Sequence, residues 1–247
     1  MGAWGIALFS DDTASDVRDD FRDHVGDGLS GPAATDRLLN EWRQTVGDPD
    51  EGPVFWLALA ATQWKCGRLE PRVQEKALEV IASGADLRRW QDNPKLLKKR
   101  QAVLAKLEEQ LRSPPPPEKR IPKRFRSHCE WEIGEVIAYR LRSGKWALFR
   151  VIKYNIDKGG TSPICELLDW VGDEIPPREE LAKLPIRRRG PWNRFHVGGT
   201  SERELPQDRV RRLGIKLELS QEKPPGGIPV YLWRSLDSSL QKDFDIA

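Results

Sequence analysis

Two stretches of the sequence set guanidinium groups beside aromatic rings. Lys119 to Arg126 surrounds Phe125, and Arg187, Arg188 and Arg189 lead into Trp192, Arg194 and Phe195. A guanidinium pairs with phosphate through a planar fork, and an aromatic face stacks on an unpaired base. The chemistry on offer is contact with RNA or DNA, with 187–195 as the candidate interface. The same residues also suit a solvated face, or an intramolecular partner for acidic side chains elsewhere in the chain.

Such an acidic surface exists. Between Asp11 and Asp27 seven Asp face two Arg. Residues 1–112 carry 16 Lys+Arg against 19 Asp+Glu, a charge of −3, and residues 113–247 carry 25 against 19, a charge of +6. An excess of +6 is modest for a dedicated nucleic-acid binder, and an acidic half repels phosphate. Trp4 and Phe9 sit beside Asp11, Asp12 and Asp16. An aromatic next to carboxylates either docks a basic partner or staples the chain onto its own core. The staple is the preferred reading, because both rings precede a helix start and Phe55, Trp56 and Leu59 offer a surface to cover.

Motifs for catalysis or cofactors are missing. Neither Ser83-Gly84 nor Ser143-Gly144 stands in a G-x-S-x-G frame, and the sequence has no H-E-x-x-H, G-x-x-x-x-G-K-[ST] or G-x-G-x-x-G. The pairs Gly159-Gly160, Gly198-Gly199 and Gly226-Gly227 are not followed by helix starts and read as turns. Cys66, Cys129 and Cys165 are odd in number, far apart and without a C-x-x-C, the usage of reduced thiols. His128-Cys129 is a poor chelate, since adjacent side chains of an extended segment point apart. The expectation is binding without catalysis, cofactor or metal; acid–base pairs that meet only in space stay open.

The elements that carry these residues change period midway. From Asp12 the spacing is helical: Asp12-Thr13 are N-cap candidates and Val17, Phe21 and Val25 recur at i, i+4, i+8. Further helices are predicted over 33–46, over Val54 to Cys66 as the apolar core helix, from Pro71 to Gly84, from Asp86 to Trp90, and from Pro94 to Leu111. Ser113-Pro114-Pro115-Pro116-Pro117 stops them. Beyond it the period is 2, with a hairpin from Gly134–Leu141 and Trp146–Tyr154 whose second strand is apolar on both faces, so that both sides should be covered. Strands are also predicted at 164–171, 214–219 and 228–233. Pro176 to Pro206 reads as a long polar loop.

The resulting fold class is α+β in two domains: an α-helical bundle at 1–112, a Pro-rich basic linker at 113–126, and a small SH3-like β-barrel or curled antiparallel sheet at 127–247. A free linker predicts proteolysis near 119–126. The composition, 38% hydrophobic with ten tryptophans, supports real cores. The longest apolar run, Val54 to Ala61, is far short of the roughly 20 residues of a bilayer-spanning helix. With no signal-type start, the expected location is cytoplasmic.

The opening Trp4-Gly5-Ile6-Ala7-Leu8-Phe9-Ser10-Asp11-Asp12-Thr13-Ala14-Ser15-Asp16 resembles the bacterial domain-of-unknown-function family 4259, whose start reads W-G-x-G-x-F-x-x-D-x-A-x-D. Ala7 replaces the glycine usual there. The hairpin Gly134 to Tyr154 resembles small β-domain immunity proteins of bacterial toxin systems, which neutralise a toxin by binding it. Together these imply a non-catalytic protein-binding role, as an immunity-like inhibitor or adaptor in a bacterial conflict or stress system. Trp4, Asp11, Asp12, Asp16 and the 187–195 residues are the candidate contacts. The alternative is a nucleic-acid-associated module working through 187–195.

Overall fold

The helical and the alternating stretches of the sequence form two separate sets of elements in the computed structural model, which describes residues 5–188, 193–219 and 228–246. The chain is α+β and divides into two compact units, Met1–Arg124 and Phe125–Ala247. Among the described residues no helix is long and apolar enough to cross a membrane.

The first unit is built on α1 (Asp12–Gly26), α2 (Gly31–Glu41), α3 (Arg43–Gly47), α4 (Glu51–Cys66), α5 (Pro71–Ser83) and α6 (Pro94–Arg112), with a 3-10 turn at Ala85–Trp90. Helix α4 is buried on nearly every side, as its all-round apolarity requires, and Val17 and Phe21 of α1 pack into the same core. Burial of each such side chain stabilises by about 1.5–3 kcal/mol. The N-cap of α1 is Asp11, whose carboxylate accepts the Ala14 N–H at 3.3 Å, one residue before the expected Asp12-Thr13. The single helix expected over 33–46 breaks at Trp42, where φ −101° and ψ 18° leave the helical region. The cause is tertiary: the Trp42 indole N–H donates to Asp20 at 3.1 Å and the ring packs 6.2 Å from Phe55.

The proline run is not a free linker. It straps the helical unit: the Trp64 indole donates to the Ser113 carbonyl, the Lys119 N–H to the Cys66 carbonyl, and Arg68 pairs with Glu118 at 2.7 Å. Ile121 packs against the helical core and Arg124 pairs with Asp23. Gly67 makes the crossing possible. It caps α4 at φ +70°, and a Cβ there would stand 2.5 Å from the Pro116 carbonyl oxygen and 2.6 Å from that of Pro117. Trypsin should therefore spare Lys119 to Lys123 in the native protein. Gly67→Ala combines the left-handed penalty with a backbone clash, so it should free the strap. The expected result is a new early cut at Lys119 or Arg120; an unchanged digestion pattern refutes the strap.

The second unit holds β1 (Glu135–Arg140), β2 (Trp146–Asp157), β3 (Gly160–Gly172), β4 (Arg194–Gly198), β5 (Val210–Lys216) and β6 (Val230–Leu232), with short α7 (Arg178–Leu181) and terminal α8 (Leu236–Phe244). They form one sheet in the order β5-β1-β2-β3-β4-β6, in which β4 and β6 run parallel and the other pairs antiparallel. This sheet is not closed into the barrel that is one expectation, and its parallel β4–β6 pair makes it mixed where the other expectation is a curled antiparallel sheet. It is covered twice, as the two apolar faces of β2 demand. Phe149, Phe195 and Tyr231 pack with Leu236, Leu240 and Phe244 of α8 on one side, and Val136, Ala138, Leu148 and Leu168 pack with Leu181 on the other.

Helix α8 is pinned by Asp237. Its carboxylate accepts the Tyr139 hydroxyl, the Arg142 N–H and the Arg209 guanidinium, all at 2.7 Å. Burial alone would raise the Asp237 pKa, but these bonds, led by Arg209 and Tyr139, outweigh it and hold it below the usual value. Glu135 is likewise held down, against its burial, by Arg212 and the Glu132 N–H. A depressed folded pKa means that the unfolded chain takes up the proton first as pH falls. Both contributions should be complete at neutral pH and shrink below about pH 4, near the unfolded carboxylate values. Urea titrations between pH 7 and pH 3 should show this loss; Asp237→Asn should remove part of the slope, and an identical slope in that variant contradicts the assignment.

Candidate functional site

The residues singled out by type and spacing fall into different settings. Trp4, Arg189 and Trp192 lie outside the described residues. Asp11 is buried, capping α1 and pairing with Arg89 at 3.0 Å, so it is no docking epitope. Asp12 stands in the first turn of α1, and Asp16 is exposed one turn on. Phe9 packs against the helical core with Arg18 and Lys65 about its ring, the placement of a staple.

In the second unit, the expected polar loop contains β4. Phe195 is fully buried there, with its ring centroid 5.1 Å from that of Phe149 and 5.7 Å from that of Tyr231. Its ring cannot stack on a base or meet a partner. Arg194, on the opposite face, belongs to a three-strand ladder: Glu166 of β3 accepts Arg194 at 3.2 Å and Arg150 of β2 at 2.5 Å. Arg187 pairs with Asp169 at 2.6 Å and donates to the carbonyls of Phe244 and Asp245, latching the end of α8. Arg188 is exposed. The residues picked as an Arg/aromatic interface therefore include core and ion-pair elements of the sheet.

A feature the sequence did not reveal is a cavity of about 360 Å³ in this unit. One wall is the extended segment from Phe125 to Trp131. It is tied down where the Ser127 N–H donates to the Gly159 carbonyl and the Thr161 N–H to the Ser127 carbonyl, at 2.7 and 2.8 Å. Gly160, at φ +102°, permits this approach, since a Cβ would stand 2.1 Å from the Ser127 carbonyl oxygen. The Tyr154 hydroxyl donates to the Trp131 carbonyl, and the rings of Trp131 and Trp233 meet edge to face at 5.8 Å. The lining also includes Ser162 and Pro163 at the start of β3, Gly198 at the end of β4, and Gly199 and Leu205 beyond it.

Two reactive groups are placed here. Cys129 lines the cavity, but burial raises its thiol pKa and keeps it protonated, the unreactive form. Ser162 also lines it, with Oγ 2.5 Å from Nε2 of His196. Burial pulls the His196 pKa below its usual value, against an upward pull from Asp157, so the ring is neutral at neutral pH. Among the described residues no side chain hydrogen-bonds the other ring nitrogen, and no group of three or more His, Cys, Asp or Glu is placed to hold a metal ion.

No family model, no curated protein and no solved structure matches the chain.

Proposed function

We propose that the chain acts by binding a protein partner, as an inhibitor or adaptor of a bacterial conflict or stress system, with a segment of that partner entering the cavity of the second unit. The observation that carries this reading is the cavity itself. It is preformed, of about 360 Å³, and its lining includes Trp131, Trp233 and the hydroxyl-bearing residues Ser127, Thr161, Ser162 and Ser201. That volume lies at the lower end of ligand sites, about 300–1,000 Å³, and suits one or two side chains of an inserted segment. The likeness of the Gly134–Tyr154 hairpin to immunity proteins, and of the Trp4–Asp16 opening to family 4259, supports binding. The nucleic-acid alternative is weakened by the burial of Phe195 and by the carboxylate partners of Arg187 and Arg194.

The test is a tagged chain purified natively from its own host, compared with Ser201→Trp and Gln207→Trp, which place bulk at the cavity wall. The expected result is an unchanged melting temperature with loss of one co-purifying protein from both variants. Retention of that protein by both removes the cavity from the reading.

A further inference from the structure

We infer that Ser162 is an acyl-accepting nucleophile, with His196 as its general base, toward small carboxylic esters that enter the cavity of the second unit. This goes beyond partner binding and does not depend on it. The inference stands on geometry. The two side chains come from adjacent antiparallel strands, where Ile164 pairs with His196 and Cys165 with Phe195, so Ser162 lies on the face that His196 shares. Its Oγ is 2.5 Å from Nε2, within the reach that proton transfer requires. Ser162 is buried and is one of the residues that line the cavity.

Gly198 keeps it uncovered. A Cβ at that position would stand 3.8 Å from Nε2 and 4.0 Å from Oγ, so any larger side chain there would project over the pair. The general base required is the neutral imidazole with its proton on Nδ1, the tautomer that leaves the Nε2 lone pair to accept the hydroxyl proton. Asp157 is the charged group that acts on the ring, through space rather than through a hydrogen bond. A serine–histidine pair without a bonded carboxylate still activates the hydroxyl, but holds the imidazolium less firmly. Both half-reactions are slowed alike, and a burst is expected only with an activated ester, whose good leaving group makes acylation outrun deacylation.

The step balances with water alone. Oγ attacks the ester carbonyl carbon as its proton passes to Nε2. The carbon–oxygen bond to the alcohol breaks, and the alcohol leaves with the proton from His196. Water then attacks the acyl carbon and gives its proton to His196, which returns it to Oγ as the carboxylic acid departs.

The experiment uses the full chain with a biotinylated fluorophosphonate, whose phosphorus–fluorine bond breaks as Oγ bonds to phosphorus, and with p-nitrophenyl acetate. One label per chain is expected, mapped to the peptide carrying Ser162, with a burst of one equivalent of p-nitrophenol. Ser162→Ala should abolish both. His196→Ala should slow labelling by about 100-fold or more, the usual contribution of a general base. Gly198→Val should slow labelling while His196 remains in place, a change that a purely structural hydrogen bond would not produce. No label at Ser162 in the folded wild type, or labelling indifferent to His196→Ala, overturns the inference. Because Ser201→Trp reports on the partner and the fluorophosphonate on Ser162, failure of one leaves the other standing.

Discussion

Asp86→Ala or Arg100→Ala should each lower the unfolding free energy of the helical unit by about 3–5 kcal/mol, the cost of leaving one member of a buried ion pair uncompensated. The two side chains are 1% and 3% exposed, and they meet through two parallel bonds of 2.7 Å, Nε to Oδ2 and Nη2 to Oδ1. The remaining Arg100 nitrogen, Nη1, donates to the Ile6 carbonyl at 2.9 Å, so one guanidinium ties the 3-10 turn, α6 and the N-terminal segment together. An exposed pair gives the contrast. Lys76 and Glu79 approach to 2.5 Å at 53% and 69% exposure, and Glu79→Ala should cost under about 1 kcal/mol. In thermal melts the buried variants should lose roughly 10 °C or more. The double replacement Asp86→Leu with Arg100→Met should recover much of the loss, since an apolar pair carries no desolvation penalty. If Asp86→Ala melts like Glu79→Ala, the pair is not a keystone of this unit.

How far the sequence revealed the fold depends on whether local or tertiary physics decides. Helix α4 was legible because its apolar run admits only a central position, and β2 because both of its faces alternate apolar residues. The break at Trp42 was not, because it arises from a hydrogen bond to Asp20, 22 residues away in sequence. In the stretch read as a loop, Phe195 and Val197 were the visible trace of β4, a two-residue alternation too short to outweigh the surrounding polarity. Leu236, Leu240 and Phe244 carry the i, i+4, i+8 spacing of α8, but no helix is predicted beyond the terminal strand at 228–233. The cavity lay beyond reach altogether. Periodicity tells which face a side chain takes, while the meeting of Ser162 with His196 depends on the pairing of β3 with β4.

The ladder beside that site carries the second large effect: Glu166→Gln should destabilise the second unit by about 3–5 kcal/mol. Glu166 is fully buried and is shared by Arg150 and Arg194, its cross-strand neighbours on β2 and β4. One carboxylate thus neutralises part of two positive charges in a place with little water. Glutamine keeps the shape and one acceptor oxygen, but removes the negative charge and turns an N–H₂ group toward a guanidinium. The two arginines then repel each other across β3, and among the described residues the strand paired on the other side of β4 is the three-residue β6. Loss of hydrogen-exchange protection should therefore begin at the β3–β4 amides, before the β1–β2 pair opens. Arg150→Met with Glu166→Gln should regain part of the stability by removing the repulsion. Uniform loss of protection across the whole sheet, or a Glu166→Gln protein as stable as wild type, would show that the ladder does not hold β4, and His196 with it, in register.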